Sequence, residues 1–223
     1  MRILSDDLVV LQRVALRRAT RLRLVAAHCV SPGLAGPDRE AGLTYCIIEL
    51  QTLWEGFSRA LFLSSALSAR DSTGRRVSVG ASPRQRTIDE ALTHAIRRVK
   101  PGLYKRKQNP TWSWSDEHKW SGIRALLDSM DEVGCSNRSR VAAALSTQTA
   151  VFDHLRLMRN FYAHRGRDTR QKLHSLVVTY SLPPTLHPSG VLLLRARVSG
   201  VLRPQPLLLD WIDDVINTVS LVV

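Results

Sequence analysis

Tyr45-Cys46-Ile47-Ile48-Glu49-Leu50-Gln51-Thr52-Leu53-Trp54-Glu55-Gly56-Phe57-Ser58-Arg59-Ala60-Leu61-Phe62-Leu63 is apolar around most of a helical circumference, with Glu49, Glu55 and Arg59 as its charges. A helix that is hydrophobic on nearly all sides must be surrounded by other elements. This stretch is therefore predicted as the central core helix of a helical bundle. Glu55 and Arg59 stand at i,i+4, in the order that favours an intrahelical ion pair. Upstream, Ser31-Pro32-Gly33-Leu34-Ala35-Gly36-Pro37-Asp38 is an evident break, with Asp38 placed as a cap. The core helix then runs to about Ala66. Before the break, Leu8, Leu11, Ala15, Leu22, Val25 and Ala26 recur at helical spacing, with Arg13, Arg17, Arg18 and Arg21 between them. That pattern predicts a long amphipathic helix from Asp6 to about Val30.

Downstream, Ser, Gly and Arg dominate Ser68 to Arg86, and a short helix is expected from Thr87 to Val99, ended by Lys100-Pro101-Gly102. Ser115 to Met130 reads as a further helix, followed by a turn at Gly134-Cys135-Ser136-Asn137 and a helix over Arg138 to Leu145. Thr147 or Thr149 begins the next helix. Others are expected over Asp168 to Tyr180 and Trp211 to Leu221, the last with an acidic face of Asp210, Asp213 and Asp214. Between those two, Pro183, Pro184, Pro188, Pro204 and Pro206 interrupt regular helix. Val191 to Val198 is expected to form a short strand or hairpin.

The 223 residues suffice for one domain with a real core, and 44% apolar residues is ordinary globular composition. The charge is unusual: 32 Lys plus Arg against 19 Asp plus Glu give +13. Such a surface attracts polyanions. Arg outnumbers Lys 27 to 5, which reflects either phosphate recognition or a GC-rich genome. Eleven cations between Arg70 and Lys107 face three acids, Asp71, Asp89 and Glu90. Tyr104, Trp112 and Trp114 flank Lys105-Arg106-Lys107, which suits either single-stranded nucleic acid or a solvated loop whose tryptophans anchor it to the core. Cys29, Cys46 and Cys135 are far apart and in no CxxC pair, so neither a disulfide framework nor a zinc site is indicated. With no run of about 18 uncharged apolar residues, a membrane partner is not expected, and a reducing cytoplasm is the simplest location.

The segment Leu155-Arg156-Leu157-Met158-Arg159-Asn160-Phe161-Tyr162-Ala163-His164-Arg165-Gly166 concentrates chemistry. An imidazole exchanges protons near neutral pH, and guanidinium groups are permanent bidentate donors to phosphate. On a helix Val151, Leu155, Met158 and Tyr162 form one apolar stripe, while Arg156, Asn160 and His164 line up on another face. Arg159 lies about 140° round the helix from His164. Either the helix distorts or ends near His164, with Gly166 as its left-handed stop, or a second copy of the segment completes a site. His-Arg-Gly is also an ordinary helix ending, in which cations complement the dipole.

Arg159, Asn160 and His164 resemble the R-x4-6-H signature of HEPN domains, in which the residue after the Arg is polar. Trp54 and Arg59 in the second helix, and the motif's place in a late helix, add to the resemblance. It covers residues 1–180 by architecture and 155–166 by residue. The resemblance implies an all-α, antiparallel helical bundle as a single domain over 1–223, with a basic insertion at about 68–114 and an irregular segment at about 181–206. It implies a homodimer with a composite site and a metal-independent endoribonuclease needing no cofactor, of toxin or phage-defence type. In that chemistry His164 serves as general base or acid, Arg159 stabilises phosphoryl charge and Asn160 orients either. Arg156, Arg165, Arg167, Lys105, Arg106 and Lys107 are expected to hold the RNA, with Arg170 near the motif. The resemblance also implies an antitoxin or regulatory protein as partner. However, the His-x-Tyr extension of toxins neutralised by nucleotidyltransferases is missing, since Gly166 stands at the Tyr position. The alternative is a non-catalytic HEPN-like module that binds RNA or protein. A DNA-binding regulator has only the Gly134 turn in its favour. A metal hydrolase has only His154, His164 and His174, without accompanying carboxylates.

Overall fold

The computed structural model describes residues 4–80, 87–107, 111–146, 149–164, 166–181, 187–195, 197–198, 201–202 and 204–223. These residues are overwhelmingly helical. In chain order they form α1 (Leu8–Cys29), α2 (Gly36–Ala66), α3 (Ile88–Val99), α4 (Pro101–Arg106), α5 (Ile123–Val133), α6 (Arg138–Ser146), α7 (Thr149–His164), α8 (Arg167–Thr179), α9 (Pro188–Leu193) and α10 (Leu207–Leu221). A two-residue hairpin pairs β1 (Arg197–Val198) antiparallel with β2 (Val201–Leu202). The all-α expectation holds.

The chain gathers into two compact units. One comprises Met1–Leu16, Leu53–Thr149 and Thr218–Val223, the other Arg17–Thr52 and Ala150–Asn217. In the first, Trp54, Phe57, Leu61 and Phe62 of α2 are buried, as are Leu92 and Ile96 of α3 and Leu126 and Met130 of α5. Within the expected insertion at about 68–114, α3 and α4 are helical. Thr87 caps α3: its hydroxyl accepts from the Glu90 amide while the Glu90 carboxylate accepts from the Thr87 amide. Gly134 closes α5 in the left-handed conformation at φ +72°, as the turn at 134–137 predicted.

Three local expectations are corrected. Lys100-Pro101-Gly102 does end α3, but Pro101 also opens α4, because proline's fixed φ and missing N–H suit a first helical turn. Residues 115–122 are turns, not the start of a helix. Their carbonyls are taken from outside: Lys100 Nζ donates to those of Asp116 and Glu117 at 3.0 and 2.6 Å, and Trp54 Nε1 to that of Ser121 at 3.2 Å. In the proline-rich region Pro188 again initiates a helix, so α9 takes Val191 to Leu193 and the hairpin begins only at Arg197.

In the second unit α1, α2 and α10 are tied by polar contacts around an apolar interior. Arg23 Nε and a terminal nitrogen donate to both Asp213 oxygens at 2.6 and 3.1 Å, and Gln205 donates to the same carboxylate at 2.6 Å. Asp210, expected on the acidic face of the C-terminal helix, is buried. Gly42 leaves room for Cys29, whose Sγ would lie 2.4 Å from any Cβ at that position. Cys46 hydrogen-bonds to Cys29, and burial, followed by the neighbouring thiol, pushes its own thiol up to about 12. All three cysteines are buried, and none is in a disulfide.

Candidate functional site

The predicted apolar stripe of α7 is its buried face. Val151, Leu155, Met158 and Tyr162 are all nearly inaccessible, and Phe152 and Phe161 widen the stripe. Two aromatic side chains lock the helix in its unit: the Tyr162 hydroxyl and Ser189 Oγ are 3.0 Å apart, and Phe161 meets His187 edge-on. At the other end, His154 Nδ1 lies 2.7 Å from the Tyr180 hydroxyl, which also accepts from Trp211 Nε1 at 2.9 Å. Burial lowers the His154 pKa, with Asp153 opposing the shift. His154 is thus a structural imidazole within a side-chain network.

With the apolar side packed, the polar residues are presented outward. Arg156, Arg159 and His164 are exposed and Asn160 is half-buried. Arg156 is partly occupied by Asp153, 3.2 Å away at i,i+3. Among the described residues the side chains of Arg159, Asn160 and His164 make no hydrogen bond or ion pair with the protein. Their donors and acceptors are available to a ligand or a second surface.

The helix stays regular through His164. Arg159 and His164 therefore diverge by about 140°, and one copy of α7 does not bring them together. Gly166, expected as a left-handed stop, has φ −85° and instead stands at the N-cap of α8. Arg165 lies outside the described residues.

Beside α7, a cavity of about 420 Å³ is lined by Met158, by Arg167, Arg170, Gln171, Leu173, His174, Leu176 and Val177 of α8, and by Pro188 and Val191 of α9. Arg167, a predicted RNA contact, thus lines a concave surface together with Arg170 and His174. His174 was legible only as a member of a ten-residue His spacing. Its i+4 relation to Arg170 on α8 is the signal that relates the two.

Lys105, Arg106 and Lys107 belong to the first unit and are exposed. Lys107 is engaged: its Nζ is 2.5 Å from Asp116 Oδ2 and 5.4 Å from the Trp112 ring centroid. Trp112 is an anchor, donating from Nε1 to Thr93 Oγ1 at 2.7 Å. A largely buried ion pair, its Glu117 side chain buried and its Arg59 half-buried, lies in the same unit and is not announced by local sequence. Arg59 Nε and a terminal nitrogen grip the two oxygens of Glu117 at 2.7 and 2.6 Å, and Trp120 Nε1 donates to Glu117 at 2.8 Å. His118, also buried, has no partner on either ring nitrogen among the described residues, and burial, then the nearby Lys100 charge, lowers its pKa to about 4.

Among the described residues no group of three His, Cys, Asp or Glu side chains is arranged to hold a metal ion, and no helix is long and apolar enough to cross a membrane. Compared with family models, curated proteins and solved structures, the chain finds no match in any of the three.

Proposed function

We propose that the chain is a metal-independent endoribonuclease of HEPN type, its reactive groups supplied by Arg159, Asn160 and His164 of α7. The observation that carries this reading is the placement of these three polar side chains, without side-chain partners among the described residues, on a helix whose apolar face is packed. The high positive charge supports a polyanionic substrate.

The chemistry follows from the side chains. The RNA 2′-oxygen attacks the adjacent phosphorus as an imidazole takes its proton, and the P–O5′ bond breaks with protonation of the leaving oxygen. The products are a 2′,3′-cyclic phosphate and a 5′-hydroxyl. Arg159 stabilises the charge gathering on the non-bridging oxygens, and Asn160 orients the phosphate or the imidazole. Because Arg159 and His164 diverge within one helix, the reading requires Arg159 of one protomer to meet the partner's His164. Arg156 and Arg167 would hold flanking phosphates. A toxin or defence role, restrained by an antitoxin or regulator in the cytoplasm, fits such an activity.

The same divergence favours a second reading, in which α7 belongs to a non-catalytic RNA- or protein-binding module. Purified protein incubated with total RNA and tRNA in excess EDTA separates the two. Cyclic phosphate ends from wild type, with loss of cutting in both His164→Ala and Arg159→Ala, support the enzyme. Mixing the two inactive variants then tests the composite site: random pairing restores one complete site in half of the dimers, or about a quarter of wild-type activity. Equal behaviour of wild type and variants supports the binding module.

A further inference from the structure

The aromatic residues of the basic segment have divided roles. Trp112 is tied down by Thr93, whereas Trp114 is 64% exposed, with the Arg59 guanidinium carbon 4.9 Å from its ring centroid. Arg59 is itself immobilised by its two bonds to Glu117. The indole therefore rests one face on a fixed cation and leaves much of its surface to solvent.

The segment around Trp114 is pinned from several directions. Lys100 holds the carbonyls of Asp116 and Glu117, Lys107 holds the Asp116 carboxylate, and Ser113 caps that same carboxylate from its amide and hydroxyl at 2.9 and 2.6 Å. These contacts dock residues 111–117 against α3 and α4. They also neutralise both acids of the segment, Asp116 by Lys107 and Glu117 by Arg59. The Asp116 pKa is lowered by the same Lys107 and Ser113 contacts. Lys105, Arg106 and Lys119 are exposed and make no ion pair among the described residues. Neither acid of residues 111–117 is thus left as an unpaired carboxylate to repel a phosphate.

We infer that Trp114, backed by Arg59, is a stacking platform for one base of single-stranded nucleic acid, with the exposed cations Lys105, Arg106 and Lys119 of the same unit taking its phosphates. An indole held in place by a cation stacks on any base, because every base offers a π-face, and a fixed aromatic loses little freedom on binding. A duplex hides those faces and leaves only the electrostatic term. This inference extends beyond the proposed chemistry of α7 and does not need it.

The test is fluorescence anisotropy with end-labelled oligo-U and oligo-dT of about twelve nucleotides, and with an RNA duplex of matching length. All are measured at one salt concentration in a His164→Ala background, so that failure of the cleavage reading leaves this measurement intact. Binding of either single strand with Trp114→Leu weakening it about tenfold, and Trp114→Phe retaining most of it, supports the platform. The preference between oligo-U and oligo-dT identifies which nucleic acid is taken. Lys105→Ala with Arg106→Ala should reduce both the affinity and its dependence on salt. Unchanged circular dichroism and urea midpoint of Trp114→Leu keep folding out of the comparison, and Trp114→Phe provides a second check. Equal affinity of wild type and Trp114→Leu, equal affinity for the duplex, or equally strong competition by inorganic polyphosphate would overturn the inference.

Discussion

Replacing Arg59 by Leu strands a carboxylate. The Glu117 side chain is 4% exposed and that of Arg59 17%, so neither charge is well served by water. Without the guanidinium, Glu117 keeps the Trp120 N–H at 2.8 Å and loses two short charge-assisted bonds. Breaking a buried pair by removing one partner costs about 3–5 kcal/mol, much of it the penalty of the charge left behind, whereas replacing both partners by apolar residues is often neutral. Arg59→Leu should therefore lower the urea midpoint by about 1 M or more. Glu117→Leu should be similarly damaging, and Arg59→Leu with Glu117→Leu should recover most of the loss. Urea titrations followed by far-ultraviolet circular dichroism on the four proteins complete a double-mutant cycle, with an expected coupling of roughly 5 kcal/mol or more, because two losses of about 3–5 kcal/mol each are nearly recovered in the double variant. A single-variant loss below about 1 kcal/mol, or a double variant as unstable as the two losses summed, would refute the picture of a desolvated and mutually dependent pair.

Three further outcomes are expected. His118 is neutral in the fold with a pKa near 4, while an unfolded histidine titrates near 6.5, so stability should fall as pH drops between those values, by up to about 3 kcal/mol. His118→Leu should flatten that part of the stability profile, and parallel profiles for variant and wild type would count against it. Gly134→Ala meets both a left-handed backbone and a Cβ only 3.1 Å from Gly80, whereas Gly74→Ala, at φ +77°, meets open space. Thermal unfolding should show the first losing about 2 kcal/mol and the second about 1. Cys46, pushed up to about 12, should escape iodoacetamide in the native protein at pH 8 and be labelled in urea, as peptide mapping would reveal.

Helix identity was largely legible because it is written in local periodicity. The core reading of α2 holds at Ile47, Leu50, Leu53, Trp54, Phe57, Leu61 and Leu63 but not at Tyr45 and Ile48, which are exposed, and the buried stripe of α7 follows from i, i+3 and i+4 spacing. What escaped was set by distant partners. Residues 115–121 carry a plausible helical pattern, yet Lys100 and Trp54 remove the carbonyls that a helix needs. Arg59 has Glu55 four residues before it, and nothing local announces Glu117 fifty-eight residues on. Pro101 and Pro188 were read as interruptions although proline equally begins a helix. At the candidate site, exposure of Arg156 and His164 agrees with the polar line read along α7, whereas Asn160 is half-buried. The cavity lined by Arg167, Arg170 and His174 was not legible, because it depends on how α8 and α9 pack beside Met158.

The distribution of the indoles gives the protein an optical property. Trp54, Trp120 and Trp211 are buried and Trp112 is half-buried and hydrogen-bonded, leaving Trp114 as the one widely open to water. Its emission should form a red-shifted component, selectively extinguished by an aqueous quencher such as iodide and accelerated there by the local positive potential. The molecule thus carries an intrinsic lamp at one surface location, whose dimming or shielding can be followed without attaching a dye.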